Sequence, residues 1–494
     1  MRRLRVGLGD TDPPTKMSDA LVGDDLSAAQ AVTRAVTQTV PQTVTRTVTR
    51  TVTQNLGGPL PAIVYHIQVP MATNPRLDLD RSSGPETIRS ATSAWVDEHV
   101  PSSWRRAAAH GRAAIRAVRS PSEYEAWYPA FASSGLAVAT WPIIYGGLDL
   151  TPGQARIAEE VLAPYNLGRL NPLGLNNTAP ALFSHGTEEQ RLRFLPPLVR
   201  NEERWCQLFS EPGAGSDLAS LATRAIREGE DWVLTGQKVW TTWADVSDFA
   251  ICLARTDSTL PKRKGITYFL VDLHRPGVEV HPLRHMGGIV EFNQVFLDGV
   301  CVPDFYRVGA VNDGWRVASA SLAGERQMVA GAGSGGVDRI GGSGVGRVID
   351  LARQEHRTAD AATRQRLARA YGEERIRAWT NQRVRATAKA GEGASAAASV
   401  GKLHQAELNQ DLQLLAADLL GSRAAAWPAP AAADPDQWAA YLPYEVKGML
   451  RSRANTIEAG TTEVNRNIVA ERVLGLPREP DPWASTPWQD TPRS

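Results

Sequence analysis

The sequence predicts a multidomain α and β protein built in three successive blocks: an N-terminal helical domain over 85–203, a middle antiparallel β-barrel or sandwich over 204–307, and a C-terminal four-helix bundle over 313–478. Three observations carry this. Apolar-periodic runs opened by capping residues fill the first block, short runs punctuated by Gly, Pro and Asp fill the second, and helical patterning returns after Gly314 and persists to Leu474. A tail, 479–494, follows.

In the first block Ser120 precedes an amphipathic run that ends near Ser133. Thr151-Pro152 supplies an N-cap and a proline at the first helical position before Gln154 to Tyr165, and a further helix should start at Gly186-Thr187. In the second block, Trp232–Thr235, Lys238–Thr242, Phe249–Arg255, Ile266–Asp272, Val278–Leu283 and Asn293–Phe296 read as short strands. The third block contains a difficult stretch, Gly331 to Gly346, with eight glycines in sixteen residues. Each glycine inside a helix costs about 1 kcal/mol against alanine, so a helix there depends on tertiary packing. Close helix contact and a wide cavity for a bulky ligand both explain such a segment.

Residues 1–70 are different in kind. Valine recurs at 32, 36, 40, 44, 48 and 52 among Thr, Arg and Gln, a four-residue cycle that suits neither strand alternation nor a helical stripe. The segment reads as a disordered low-complexity extension, and translation starting at Met71 is one explanation of it.

Composition narrows the function. The chain has 494 residues, enough for a sizeable core in more than one domain, and its net charge of +1 leaves no basic footprint for nucleic acid. Its three cysteines, Cys206, Cys252 and Cys301, show no metal-binding or Cys-x-x-Cys spacing and read as reduced thiols. No run approaches the roughly 20 apolar residues of a membrane span, and the charged N-terminus lacks the apolar core of a secretion signal. A cytoplasmic protein with no membrane span and no metal is expected.

Two segments carry chemistry. Glu211-Pro212-Gly213-Ala214-Gly215-Ser216-Asp217 is a loop whose glycines let backbone approach a ligand closely, and Thr235-Gly236-Gln237-Lys238-Val239-Trp240-Thr241-Thr242 adds an indole and hydroxyls. The spacing fits a flat, polar-edged cofactor packed against Trp240 and hydrogen-bonded from Ser210 and Thr242. Taken singly, the first segment reads better as a surface turn and the second as a hairpin.

Together these two segments resemble the acyl-CoA dehydrogenase family, whose middle domain carries such a loop followed by a Gly-Gln-Lys-x-Trp-x-Thr hairpin. A third segment, Thr456-Ile457-Glu458-Ala459-Gly460-Thr461-Thr462-Glu463-Val464, running on to Gly475-Leu476-Pro477, is also in the family's style. The resemblance covers Ala91 to Arg478 and implies the same helix, strand, helix order. It implies FAD as cofactor, an acyl-CoA substrate, an electron-transfer flavoprotein as oxidant, and a homo-oligomer (dimer or tetramer) or a hetero-oligomer with a related chain. By position it implies FAD contacts from Phe209, Ser210, Trp240, Thr242, Thr461 and Glu463, and substrate contacts from Ser216 and Arg326. Arg353 or Arg357 would reach a neighbouring subunit's FAD.

The family's reaction removes an α-proton and a β-hydride from a thioester, so it requires a carboxylate base and donors that stabilise the enolate oxygen. Members place the base either directly before the Gly-Thr of the C-terminal loop or at the start of the first bundle helix, before an arginine. The first position here is Ala459, which accepts no proton, with Glu458 one residue earlier. The second is filled by Gly324-Glu325-Arg326, so the resemblance assigns the base to Glu325. Without it, Glu325 is an exposed glutamate near a helix start, favoured by the dipole. The family's glycine-rich adenosine segment survives only as Asp418-Leu419-Leu420-Gly421-Ser422-Arg423, and Ala424 to Gln437 is an Ala/Pro-rich insert. Such changes suit members that assemble with a related chain. An acyl-CoA oxidase and a non-catalytic partner subunit are the alternatives to a dehydrogenase.

Overall fold

Capping boxes set the helix starts of the first block. In the computed structural model, which describes residues 76–329, 344–389, 394–426 and 441–492, the side chains of Ser120, Thr151 and Thr187 each accept the amide of the third helical residue, and that residue's side chain returns the bond. The helices are α1 (Pro85–His99), α2 (Ser102–Ala108), α3 (Arg112–Val118), α4 (Pro121–Ser133), α5 (Pro152–Leu162), α6 (Ala179–His185) and α7 (Glu188–Val199). Trp95, Tyr124, Tyr128, Phe131, Leu182, Phe194 and Leu198 are buried between them. The described residues all fall within one compact unit, Ala72–Ser494. Residues 1–70, most of the glycine-rich stretch and most of the Ala/Pro-rich insert lie outside the described residues.

The middle block forms β1 (Trp205–Leu208), β2 (Arg224–Glu228), β3 (Asp231–Thr242), β4 (Phe249–Arg255), β5 (Ile266–Asp272), β6 (Val278–Arg284), β7 (Val290–Pro303) and β8 (Arg307–Val308). They make one sheet in the order β6-β7-β3-β2-β4-β5-β8, with β1 beside β4. Five of its pairings are antiparallel, but β1 runs parallel to β4, and β2 meets β4 in parallel at Arg224 and Arg255. Every residue of β4 is buried, the mark of a strand covered on both faces.

The segment around Gly236 and Gln237, expected to separate two short strands, lies inside β3. The sheet passes it by a register shift against β7 between Leu234 and Gly236. The reason is steric: a Cβ on Gly236 would lie 2.4 Å from Thr223 Oγ1 and 2.7 Å from Thr223 Cα, so glycine serves close approach here and not a turn. A second shift, between Lys238 and Thr241, falls at Trp240.

After the sheet come α8 (Gly314–Val329), α9 (Val345–Gln354), α10 (Ala361–Lys389), α11 (Ala394–Leu419), α12 (Tyr444–Ser452) and α13 (Thr462–Arg472). Helix α11 is the axis of this block and packs against α8, α9, α10, α12 and α13. No helix among the described residues is long and apolar enough to cross a membrane.

The helix carrying Glu325 corrects one expectation. It begins after Asn312-Asp313, where the Asp313 carbonyl accepts the amides of Arg316 at 3.1 Å and Val317 at 3.4 Å. Glu325 therefore stands in the second half of α8, not near its start, and the dipole argument for a negative charge does not apply to it.

Candidate functional site

A buried ion pair joins the two motif segments of the middle block. Lys238 has no exposed side-chain surface, and its Nζ donates to Glu211 Oε1 at 2.8 Å, to the Leu253 carbonyl at 2.8 Å and to the Phe209 carbonyl at 3.1 Å. The Val239 amide donates to the Ser210 carbonyl at 2.9 Å. Glu211 also accepts the amides of Ala222 at 2.6 Å and Thr223 at 2.9 Å. Burial by itself would raise the Glu211 carboxyl, but the Lys238 charge and these hydrogen bonds outweigh it and hold the group below its ordinary value. Glu211 is a fixed anion and an anchor, not a proton acceptor.

Anchored in this way, the loop closes on itself. Glu211 and Ala214 exchange backbone hydrogen bonds at 3.1 and 3.0 Å, which turns Gly213 and Gly215 outward. A Cβ on either glycine would meet nothing within 4 Å, so this chain's own packing leaves the space over both open to a ligand. Glu211, Pro212, Gly213, Thr223, Gly236 and Gln237 help line a cavity of about 310 Å³. Phe209 is buried with its ring 6.2 Å from Tyr268, and Ser216 is exposed on the loop.

The register shift at Trp240 sets the next side chain. Trp240 takes a left-handed backbone (φ 60°), rare for a bulky residue, and the residue is 55% exposed. Bulges re-aim side chains, and this one presents an indole that ordinary strand alternation would not. Its ring meets Phe292 edge-on at 5.6 Å, and Thr242 pairs with Phe292 across the ladder.

From Phe292 a chain of contacts leads to the third motif segment. The Arg451 guanidinium lies 5.5 Å from the Phe292 ring, donates to both Glu291 oxygens at 2.8 to 3.1 Å, and donates to Glu458 Oε2 at 3.1 Å. Burial works against the Arg451 charge, yet the two carboxylates outweigh it and raise its pKa. Asn455 Nδ2 holds the other Glu458 oxygen at 2.9 Å. Nearby His285 is mostly buried, with Nε2 3.7 Å from Glu291; burial pushes its pKa down.

Ala459 (φ 55°) and Gly460 (φ 84°) follow in consecutive left-handed conformations. Among the described residues no acceptor receives the amide N–H of Ala459, so this turn offers a donor to a ligand oxygen. The Gly460 carbonyl is held from behind by the buried Lys402 Nζ at 2.6 Å and by Asn465 Nδ2 at 2.8 Å. Thr461 caps α13 by accepting the Val464 amide at 3.2 Å, with Glu463 exposed in the first turn. A helix N-terminus of this kind favours anionic oxygens.

Helix α8 enters the same neighbourhood under close control. Ser321 Oγ donates to the Asn177 carbonyl at 2.8 Å and meets the Tyr268 hydroxyl at 2.9 Å, and a Cβ on Gly324 would lie 1.7 Å from the Asn176 carbonyl oxygen. Gly324 is thus required by packing. The side chains of Glu325 and Arg326 lie outside the described residues. Arg353 is paired with Asp350 at 2.8 Å.

The three motif segments read in the sequence are therefore one connected structure. Lys402, Arg451, Glu291 and His285 were not legible as parts of it. A lysine within the apolar pattern of α11 is the sole signal that pointed to Lys402.

Three stretches of the chain match family models: 84–202 the acyl-CoA dehydrogenase N-terminal domain, 206–300 the middle domain and 312–474 the C-terminal domain. The chain is 35% identical over 403 residues to acyl-CoA dehydrogenase IpdE1 of Mycobacterium tuberculosis, covering 80% of this chain and 98% of that protein. It is 39% identical over 357 residues to acyl-CoA dehydrogenase FadE34 of the same organism, covering 71% of this chain but 46% of that longer protein. Among solved structures, the Tcur3481-Tcur3483 steroid ACAD matches with TM-score 0.61 and 27% identity, over 80% of this chain and 98% of that one.

Proposed function

The chain belongs to the acyl-CoA dehydrogenase family, whose members are FAD-dependent oxidoreductases, and we propose that it converts an acyl-CoA thioester to the trans-2-enoyl-CoA. The observation that carries this reading is the continuity of contacts from the Glu211–Lys238 pair through Trp240, Phe292 and Arg451 to the turn at Ala459 and Gly460.

The residues present fit the cofactor. The open space over Gly213 and Gly215, the exposed Trp240 indole, and the N-terminus of α13 at Thr461 and Glu463 offer a flat ring and a pyrophosphate their usual partners. Phe209, Ser210 and Thr242 complete the proposed set. When bound, FAD supplies the acceptor for the β-hydride, and an electron-transfer flavoprotein is the proposed oxidant. The α-proton goes to Glu325, Arg326 is the proposed substrate contact next in sequence, and the unpaired amide of Ala459 holds the thioester oxygen as negative charge develops on it. Ser216 lines the approach of the CoA arm. Glu458 takes no proton in this scheme, because Arg451 and Asn455 occupy its oxygens.

The likeness to a steroid ACAD supports a bulky, ring-bearing acyl group as substrate, and that structure's paired name supports assembly with a related chain over a homo-oligomer. A second reading, a partner subunit without its own turnover, is favoured by one observation: the loop position that carries a carboxylate in many relatives is Ala459. The buried thiols Cys206 and Cys252, pushed up by burial to about 12 and about 11, suit a cytoplasmic setting.

The test is direct. Purified protein should be yellow and should bleach anaerobically with one member of a panel of short, branched, long and steroid-derived acyl-CoAs. Glu325→Gln should keep the colour and lower the bleaching rate by about 10²-fold or more. Bleaching at the normal rate in that variant removes Glu325 from the mechanism. Peroxide formed in air marks an oxidase instead, and colourless protein that gains flavin only with a homologue marks the partner subunit.

A further inference from the structure

Past residue 474, where the match to the family's C-terminal domain ends, the chain returns to the middle block. Pro487 bridges Pro261, the Trp488 amide donates to the Leu260 carbonyl at 2.9 Å, and the Gln489 amide donates to the Ser258 carbonyl at 3.1 Å. The Ser258 hydroxyl in turn donates to the Gln489 side chain at 3.1 Å. Trp488 also reaches the loop with its side chain. Its indole N–H donates to the Ser220 carbonyl at 3.2 Å, and the Arg255 guanidinium lies 4.4 Å from its ring.

Arg255 is the hub beneath this strap. It is 4% exposed and donates to the carbonyls of Ala219 at 2.7 Å, Leu221 at 3.0 Å and Lys262 at 3.2 Å. It thereby ties the turn that leaves the Gly-rich loop to the 256–264 loop. Lys262 closes the circuit by holding Asp217 at 2.8 Å, and Asp217 also accepts from Ser220 Oγ at 2.5 Å. The loop is thus anchored at its near end by Glu211 and at its far end by Arg255, with Ser216 between. An indole laid on a guanidinium shields its charge from water and stabilises its position. The tail also supplies two backbone hydrogen bonds to the 256–264 loop, making it the outer support of the far anchor.

We propose that Trp488 is a positioning residue: the C-terminal strap holds Arg255 and the Ser220 carbonyl, and through them keeps the 211–223 loop in the form that receives the CoA arm of the substrate. It sets substrate affinity without touching the reacting atoms. The proposal rests on the acyl-CoA reading given above for its ligand, though not for the clamping itself.

The test compares the full chain with Trp488→Ala and Trp488→Phe. Amide hydrogen exchange over residues 213–222 speeds up about tenfold in Trp488→Ala, and Trp488→Phe, which keeps the ring but loses the N–H, falls between it and the parent. With an acyl-CoA that reduces the parent protein, KM rises about tenfold in Trp488→Ala, while kcat per bound FAD stays within about twofold. Unchanged exchange overturns the proposal, as does a fall in kcat with KM unaltered. If no acyl-CoA reduces the parent protein, the functional reading falls, and the exchange measurement still decides the strap.

Discussion

Two buried lysines hold the two motif loops, and they do so by different means. Lys238 in β3 reaches a carboxylate, Glu211, together with two carbonyls, all inside the middle block. Lys402 in α11 reaches the Gly460 carbonyl, a dipole on a turn of two left-handed residues. A buried charge pair cannot lose one member without stranding the other in a low-dielectric site, whereas a carbonyl that loses a donor keeps Asn465 and loses less. The first loop is a rigid platform. The second is a turn whose amides are held in place from behind.

The sharpest way to break this contrast is Lys238→Met. It should cost about 3–5 kcal/mol of unfolding free energy in denaturant titration, and adding Glu211→Leu should restore much of that loss, because the stranded anion is then gone. A loss below about 1 kcal/mol in the single variant would show that the pair is not the anchor. Lys402→Met should cost less, about 1–3 kcal/mol, and should lower kcat more than flavin content. Equal losses at the two lysines erase the distinction.

Acid separates the anchors further. The Glu211 carboxyl is depressed below its ordinary 4.5 in the folded chain, so between the two values the unfolded state binds more protons. The pair's contribution is complete above 4.5 and falls as pH drops toward the folded value, by at most about 1.4 kcal/mol per pH unit. Stability measured from pH 6 to pH 3 should therefore flatten in Lys238→Met/Glu211→Leu and keep its slope in Lys402→Met.

The smallest expected effect is the most diagnostic for the base. Glu458→Gln keeps an acceptor for Arg451 and should leave kcat within about twofold. Loss of activity there, with Glu325→Gln still active, moves the base to the C-terminal loop.

Much of the site was legible because its parts are local in sequence. Ser120, Thr151 and Thr187 were readable as helix starts because a capping box spans only four residues. Glu211 and Lys238 both stand in motif segments, so the first anchor could be seen in outline. Strand β2 was not, since four of its five residues are exposed, and β1 escaped because a four-residue strand paired in parallel leaves no turn signal. Gly236 was read as a break between two strands, and Gly324-Glu325 as a helix opening, because sequence shows a glycine's freedom but not the carbonyl or threonine pressed against it.

The sequence by itself determined the three blocks, the family and the residue types at the loops, because periodicity, caps and motif spacing are short-range properties of the chain. Tertiary structure alone decided that Trp240 leaves the strand on a bulge, that Arg451 fills both Glu291 and Glu458, that Lys402 backs Gly460, and that the tail returns to Arg255. Each of these joins residues far apart along the chain, and such contacts exist only once packing has brought their elements together and excluded water from between them.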